Sequence, residues 1–467
     1  MQLPILVTPQ NAPLFERKQL LGIALLTLFF LFSNLIDRVV GLNIAASASF
    51  YVILCLAIVW SCVIAKLRRW QLGAIGLALY FLLLPLLNGE GVQVAVSAAK
   101  DLSLPLLVLV LGYTLLSKRA VFNILNGLFL LYVLYGLLQA WCFFSGTMQN
   151  LIPWDAAYID QMKAAGLSVF QTASPSTATS PPRELLRLFG TMNSFFHYQL
   201  IAAIIPLFLW VYRAKLSSLR LLRLNTILAV VLLVVVKERT PLVMLGLVFL
   251  TYVTLGARQS RKFGALGLTA VLLVAVGISY EGSGYRGFGK GREYVNQDVN
   301  ESDAQLRMRN TLELRLDQDP STKERMSIWQ DMLREIDAKN AWLGKSVGLV
   351  LPSTDGKTDN RHLSPHNFYL FFILAYGVLG LVLYFGFLLK LTLSASTCKG
   401  LSDEKKLLLI GLLAGYLFVG MFHLIFLSKL GVIFFWILGV TLAECDRAEE
   451  NLGARCHSLT EISDGPN

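Results

Sequence analysis

Long apolar stretches recur along this chain and constrain its fold more than any other feature. Most are close to the roughly 17–25 residues that a helix needs to cross a bilayer. About twelve segments qualify: 19–36, 43–65, 70–88, 102–117, 120–145, 195–212, 224–236, 240–256, 263–279, 367–389, 404–424 and 428–443. Lipid offers no hydrogen-bond partner to a bare backbone, so these segments must be helical. The sequence predicts an all-α, polytopic membrane helical bundle of about twelve transmembrane helices.

Positive charge is distributed unevenly between the predicted loops. With the N-terminus in the cytoplasm, the cytoplasmic loops hold basic clusters at 66–69, 118–119, 213–223, 258–262 and 390–406. The short loops on the other side carry few cations, namely Arg38, Lys100, Lys237, Arg239 and Lys429. This asymmetry follows the positive-inside rule and favours that orientation. It also explains the net charge of +11 without a nucleic-acid partner.

This orientation divides the chain at its two long polar loops, which both lie outside. The predicted parts are helices 1–5 in 1–145, a periplasmic loop in 146–194, helices 6–9 in 195–279, a large periplasmic loop in 280–366, helices 10–12 in 367–445 and a cytoplasmic tail in 446–467. We expect short helices within the large loop. Ser321 to Glu324 form a capping box directly after Pro320, which predicts a helix start there.

The six cysteines lie outside both long loops, at positions 55, 62, 142, 398, 445 and 456. We therefore expect neither a disulfide framework nor a cysteine metal site. Two other patterns allow a metal. His362 and His366 have the spacing of zinc ligands on a helix, but Pro365 intervenes. The acidic pair in 317–319 stands beside Pro320 and is more typical of a turn. We predict no metal site.

Lys237-Glu238-Arg239-Thr240 joins two spans on the side where cations are disfavoured. An arginine near hydrocarbon is costly, and a bound phosphate would offset that cost because Arg binds phosphate bidentately. We favour this functional role; the alternative is an interfacial arginine that snorkels or that forms an ion pair with Glu238. Arg187 and Arg325 lie in the outer loops, where an arginine is usually a solvated charge.

His366 directly precedes a long hydrophobic span, which puts an imidazole at the rim of the bilayer. Its near-neutral pKa suits general-base chemistry. A structural histidine beside a helix start is the alternative. No Gly-rich phosphate loop, nucleophile elbow or nucleotide fingerprint occurs, so we predict no ATP or NAD cofactor.

Four stretches together resemble the O-antigen ligase/polymerase family of bacterial inner-membrane glycosyltransferases. Arg187 to Asn193 is similar to an Arg-x-x-Gly segment that leads into a span. Glu238-Arg239-Thr240 resembles a Ser-Arg-Thr segment, with Glu in place of Ser. The other two stretches are the Arg325-x-x-x-Trp329 helix followed by Gly344-x-x-x-Gly348, and Pro365-His366-Asn367-x-x-Leu370 followed by Gly377 and Gly380.

This resemblance implies sugar transfer from an undecaprenyl-diphosphate donor at the periplasmic face of the inner membrane, without metal or nucleotide. Arg239 would bind the diphosphate, with assistance from Arg187 and Arg325. His366 would take the proton of the acceptor hydroxyl, and the attack would invert the anomeric carbon. Asn367 and Lys237 would have supporting roles. The implied partners are the lipid-linked glycan, its acceptor, membrane lipid and a chain-length regulator.

Several functions remain open on the sequence. A polysaccharide polymerase would transfer the glycan to a lipid-linked repeat unit, and a ligase would transfer it to lipid A–core. The Glu-Arg-Thr-Pro and Pro-His-Asn-Phe-Tyr-Leu variants favour the polymerase. A transporter or flippase would place ionisable groups at mid-membrane, whereas here the polar residues gather at one rim. A non-catalytic assembly partner would not need His366.

Overall fold

The computed structural model describes residues 12–41, 45–64, 67–164, 188–192, 195–236, 239–280, 320–338, 340–345, 347 and 367–463. These residues form helices and the turns that join them, with no strand in the described ranges. The all-α prediction is therefore confirmed. Apolar runs rich in Leu, Val and Phe have no other way to satisfy their backbone polar groups in a low-dielectric environment.

The first half of the chain contains eight described helices. They are α1 (Ala12–Val40), α2 (Ala45–Ile64), α3 (Arg69–Leu87), α4 (Val92–Thr114), α5 (Arg119–Ser145), the short α6 (Met148–Leu151) and α7 (Pro153–Ala164), and α8 (Phe195–Val211). The π-helical segment Ala99–Ser103 interrupts α4. α4 begins at Val92, ten residues before the predicted span at 102, because the less apolar 92–98 segment is also helical and joins the apolar part through the π-helical segment.

The second half contains seven more described helices. They are α9 (Leu219–Val236), α10 (Arg239–Leu255), α11 (Arg258–Tyr280), α12 (Pro320–Arg334), α13 (Phe368–Thr397), α14 (Asp403–Gly420) and α15 (Ser428–Ser463). α12 confirms the helix predicted from the capping box. α15 continues through the predicted tail, so the segment from 446 to Ser463 is helical.

A helix overlaps each of the twelve predicted spans. Among the described residues, seven helices are long and apolar enough to cross a membrane by length and composition. Three shorter apolar helices, Ala48–Val59, Phe196–Val211 and Thr240–Leu255, have between 10 and 17 residues. The chain is thus a multi-helix membrane protein.

Glycines allow the closest helix contacts. A Cβ added at Gly112 of α4 would lie 2.8 Å from the carbonyl oxygen of Trp436 in α15, and one added at Gly439 would meet the Leu109 carbonyl oxygen. Helices in lipid associate by close backbone packing of this kind, because apolar burial does not favour helix contact over lipid contact. α4 and α15 therefore form the tightly packed centre of the bundle.

The turn at 340–347 is inserted into a break in α13. At Gly377 the backbone leaves the helical region (φ 68°, ψ 179°), which frees hydrogen-bonding groups on both sides. Val378 and Leu379 donate their N–H groups to the carbonyl oxygens of Ala341 (2.8 Å) and Trp342 (3.2 Å), and Lys345 donates its N–H to Leu374 (2.7 Å). The large loop therefore satisfies the helix ends that the break exposes.

Two cysteines depart from the sequence expectation. The Sγ atoms of Cys398 and Cys445 form a disulfide between the turn after α13 and the middle of α15, with Cα atoms 6.0 Å apart. The prediction that the chain lacks disulfides is therefore wrong for this pair. The prediction considered only cysteines in the long loops, and it could not detect two cysteines that helix packing brings together.

Candidate active site

The helix that begins at Arg239 runs antiparallel to α14. A Cβ at Gly411 of α14 would lie 2.9 Å from Val248 Cα, and one at Gly415 would overlap the sulfur of Met244. Four residues further along α14, from Gly411 to Gly415, the contacted residue in α10 lies four residues earlier, at Met244 instead of Val248. The N-terminal turn of α10, which contains Arg239 and Thr240, is therefore level with the Gly420 end of α14.

The helix that begins after His366 starts at that same end. Asn367 is the N-cap of α13, and its Oδ1 accepts the N–H groups of Tyr369 (3.0 Å) and Leu370 (3.1 Å). Tyr369 donates its hydroxyl to the Leu417 carbonyl at 2.6 Å. A Cβ at Gly420 would lie 3.7 Å from Phe368 Cβ and 3.8 Å from the Tyr369 ring. An Asn N-cap satisfies otherwise unpaired N–H groups and so fixes the start of α13, while the supporting role of Asn367 in the site stays a prediction.

Two further motif-bearing segments meet the turn Met421–Leu427, which follows α14. We call this end of the bundle the turn end. The ring of Phe196, at the start of α8, stacks on His423 with centroids 4.1 Å apart and planes inclined by 19°. The ring of Trp329, in α12, lies 6.2 Å from that of Phe422. The starts of α8, α10 and α13 and the body of α12 therefore surround one short turn.

The predicted site residues can be placed against this framework. Arg239 begins α10 and Arg325 lies one turn before Trp329 in α12, and the structure describes their backbone but not their side chains. Arg187, Lys237 and His366 lie outside the described residues, as do Asp317, Asp319 and His362. Their predicted roles therefore stay predictions. The helices on which the motifs lie share one end of the bundle.

The most extensively bonded segment at the turn end is Leu188–Met192, which directly follows Arg187. The guanidinium of Arg38 donates to the carbonyl oxygens of Gly190 and Met192, the latter at 3.4 Å. Gly190 donates its N–H to Gln139 Oε1 at 2.9 Å, and Thr191 donates its hydroxyl to the Leu31 carbonyl at 2.6 Å. α1 and α5 together hold this segment in place.

A buried ion pair completes this network. Arg38 Nε lies 3.5 Å from Asp155 Oδ1, and the exposed fractions of the two side chains are 3% and 0%. Asp155 Oδ2 accepts hydrogen bonds from Tyr135 (2.7 Å) and Gln139 (2.8 Å). Burial raises the pKa of the Asp155 carboxyl, although the Arg38 charge and these two hydrogen bonds oppose the shift. The Arg38 guanidinium also lies 4.4 Å from the centre of the Phe189 ring.

Lys429 adds a second buried cation at the turn end. Its ammonium donates to Ser33 Oγ and Asn34 Oδ1, each at 2.7 Å, and contacts the sulfur of Met192 at 3.4 Å. The sequence singled out Arg38 and Lys429 only as exceptions to the positive-inside pattern. Their position on the side where cations are disfavoured was the only sequence signal that these two residues would have bonding partners. Asp155 and His423 gave no signal in the sequence.

The opposite end of the bundle has its own ionic network. Glu444 accepts Lys215 Nζ at 2.6 Å and is also paired with Lys405. Burial alone would raise the pKa of Glu444, but the hydrogen bonds from Lys215 and Lys405 outweigh it and hold that pKa below its usual value. Arg213 pairs with Glu404 at 2.8 Å, and Arg68 pairs with Asp446 at 3.1 Å. These residues come from the predicted cytoplasmic side.

Within the part of the chain that the structure describes, no group of three or more His, Cys, Asp or Glu side chains has the arrangement of a metal site. The two metal-ligand patterns considered from the sequence lie outside that part. What the described turn end offers is fixed cations, aromatic rings and helix N-termini. Such groups suit binding of an anionic, partly apolar ligand.

Comparison with known proteins agrees with the sequence resemblance. No curated protein matches the chain. The family model described as O-Antigen ligase matches residues 224–385, which include Arg239, α12, the 340–347 turn, His366 and the break at Gly377. The matched segment covers about a third of the sequence and three of the four stretches that carry the resemblance. This match supports the predicted assignment to the O-antigen ligase/polymerase family and suggests a glycosyltransferase-type enzyme of O-antigen biosynthesis.

Proposed function

We propose that the protein is a polysaccharide polymerase, acting on O-antigen or an exopolysaccharide. It transfers the glycan from an undecaprenyl-diphosphate donor to a lipid-linked repeat unit at the periplasmic face of the bacterial inner membrane. The observation that carries this proposal is the common level of two helix starts: α10 begins at Arg239 and α13 begins just after His366, both at the Gly420 end of α14. The family match supports the chemistry.

In this mechanism, Arg239 binds the donor diphosphate, with Arg187 and Arg325 assisting. The acceptor hydroxyl oxygen attacks the anomeric carbon of the donor sugar, and the bond from that carbon to the phosphate oxygen breaks. Undecaprenyl diphosphate leaves with the bonding electron pair, and fixed arginines stabilise the charge that it gathers. His366 takes the acceptor proton, and attack from the face opposite the leaving group inverts the anomeric carbon. In this mechanism the glycan transfer needs no metal ion.

The helix N-termini favour the same arrangement. The partial positive charge at the start of a helix stabilises a nearby anion. α10 and α13 both present their N-termini at the turn end. Lys237 precedes Arg239 by two residues in the sequence and adds positive charge for the diphosphate. The basic loops on the opposite side support an orientation in which the turn end faces the periplasm.

Ligation is the second candidate, and the description of the matching family model favours it. A ligase would use the same donor and the same residues and would differ in its acceptor, which would be lipid A–core. Purified protein supplied with lipid-linked repeat units alone separates the two. Elongated lipid-linked products support the polymerase. Transfer that occurs only after lipid A–core is added identifies a ligase, and no transfer under either condition would contradict both.

A further inference from the structure

The buried ion pair at the turn end has no role in the mechanism above. Neither Arg38 nor Asp155 is among the predicted substrate-binding residues. Breaking a buried pair leaves an uncompensated charge, whereas apolar residues of similar volume are often equally stable in its place. Stability alone is therefore a weak reason for such a pair. Its bonding partners indicate what it does.

Most of those partners belong to one segment or to a residue that holds it. Arg38 donates to two carbonyl oxygens of the Leu188–Met192 segment and contacts the Phe189 ring. Asp155 fixes Gln139, whose side-chain oxygen accepts the Gly190 N–H. Arg38 and Asp155 thus reach the same glycine from two sides, one directly and the other through Gln139.

Steric contacts restrict the segment further. Gly190 has φ +52°, in the left-handed region, and a Cβ added there would overlap the ring of Tyr198. Tyr198 is itself fixed, because its hydroxyl donates to the Tyr132 carbonyl at 2.7 Å while Tyr132 donates to the Tyr198 carbonyl at 2.8 Å. The backbone at Gly190 therefore has one available position.

We infer that Arg38 and Asp155 are positioning residues for the donor-binding arginine at 187, acting by fixing the Leu188–Met192 segment that follows it. This inference rests on the proposed function, in which Arg187 assists in binding the diphosphate. Arg187 precedes the segment by one residue. An error of 1 Å in a binding group costs up to about 100-fold in rate, so a rigid anchor next to Arg187 matters for binding.

The test measures kcat and the KM for the lipid-linked donor in purified variants. Arg38→Met keeps an unbranched apolar stem and removes the charge and the donors of the guanidinium, and Asp155→Asn keeps the size of the side chain. Each is expected to raise the donor KM by roughly 10- to 100-fold and to change kcat less. Tyr135→Phe removes only one hydrogen bond to Asp155 and gives a smaller rise. If Arg38→Met or Asp155→Asn prevents folding, the donor KM of Tyr135→Phe serves as the test.

A double-mutant cycle separates positioning from a general structural role. In an Arg187→Ala background, Arg38→Met should change the donor KM by less than about 2-fold, because the residue through which it acts is gone. Effects that multiply would overturn the inference, as would an unchanged donor KM in all three single variants. If Arg187→Ala alone leaves kcat and KM unchanged, the proposed role of Arg187 fails and the inference falls with it.

Glu444→Gln supplies the matched control. It disrupts an ionic network at the opposite end of the bundle that is mostly buried, although less so than the Arg38–Asp155 pair: the side-chain exposure of Glu444 is 14%, against 0% for Asp155. This variant should lower thermal stability and leave the donor KM within about 2-fold of the wild type, since it is remote from the Leu188–Met192 segment. A rise of the donor KM equal to that of Asp155→Asn would show that any loss of an internal ion pair has this effect, and would also overturn the inference.

Discussion

The two ends of the bundle use buried charge in different ways. At the opposite end, Glu444 pairs with Lys215 and Lys405, and this shared carboxylate connects the loop before α9 to α14 and α15. At the turn end, Arg38 pairs with Asp155 and also donates to the backbone carbonyls of Gly190 and Met192 in an irregular segment. Lys429 likewise bonds to neutral oxygens.

The charges at the opposite end hold helices together, whereas those at the turn end hold an irregular segment in position. A network of ion pairs between helices stabilises their packing, and different pairs of oppositely charged residues can do this equally well. A guanidinium bonded to carbonyl oxygens specifies the backbone conformation of the segment that it contacts. If catalysis takes place at the turn end alone, substitutions there should reduce glycan transfer, and substitutions at the opposite end should reduce only stability.

The largest expected effect is at His366. His366→Ala removes the proposed general base and should lower kcat by about 10²- to 10⁴-fold while the protein still folds. Transfer of radiolabelled glycan by purified enzyme measures the loss. His362→Ala, four residues earlier, is the matched control and should retain turnover. Equal losses in both variants, or unchanged turnover in His366→Ala, would remove His366 from the mechanism.

The junction between the large loop and α13 should be the next most sensitive position. Gly377→Ala forces a side chain into a left-handed conformation and into the Trp342 carbonyl oxygen, and the conformational strain alone costs about 1–3 kcal/mol. We expect a lower melting temperature and weaker activity. Gly386→Ala lies on the same helix with open space around it, and its effect on stability should stay within about 0.5 kcal/mol. Similar melting temperatures for the two variants would argue against a rigid junction.

A smaller effect is expected from Glu444→Gln. The substitution leaves Lys215 and Lys405 close together without their shared anion, and the loss of a charged hydrogen-bond partner costs about 1.5–3 kcal/mol. For a chain of this size, the melting temperature in detergent should fall by a few degrees. Glycan transfer by the surviving folded protein should match the wild type. A selective loss of transfer would indicate that catalysis also depends on the opposite end.

The smallest effect concerns the pH dependence of that same network. The pKa of Glu444 lies below its usual value of about 4.3. The stability that this carboxylate contributes is therefore present above pH 4.3 or so and is lost as the pH falls through the lowered pKa. Melting temperatures measured from pH 7 to pH 3 should fall less for Glu444→Gln than for the wild type. Parallel curves would mean that other carboxylates account for the acid sensitivity.

Helix positions could be predicted because apolar run length and backbone hydrogen bonding nearly determine them. The start of α12 could also be predicted, because Pro320 and the Ser321 capping box are local signals. The Arg38–Asp155 contact could not, since it joins residues more than a hundred positions apart through packing that no periodicity encodes. The motifs containing Gly344 and Gly377 were identified separately, and only the structure shows that they contact each other.

The hydrogen bond from the Lys345 N–H to the Leu374 carbonyl oxygen closes about thirty residues, including His366, into a non-covalent ring. Entropy of ring closure grows only slowly with size, by about 0.6 kcal/mol for each doubling of length. Insertions within 348–364 should therefore be absorbed inside the ring without displacing α12 or the start of α13. The two anchoring points of the ring should stay in place when this portion is lengthened or shortened.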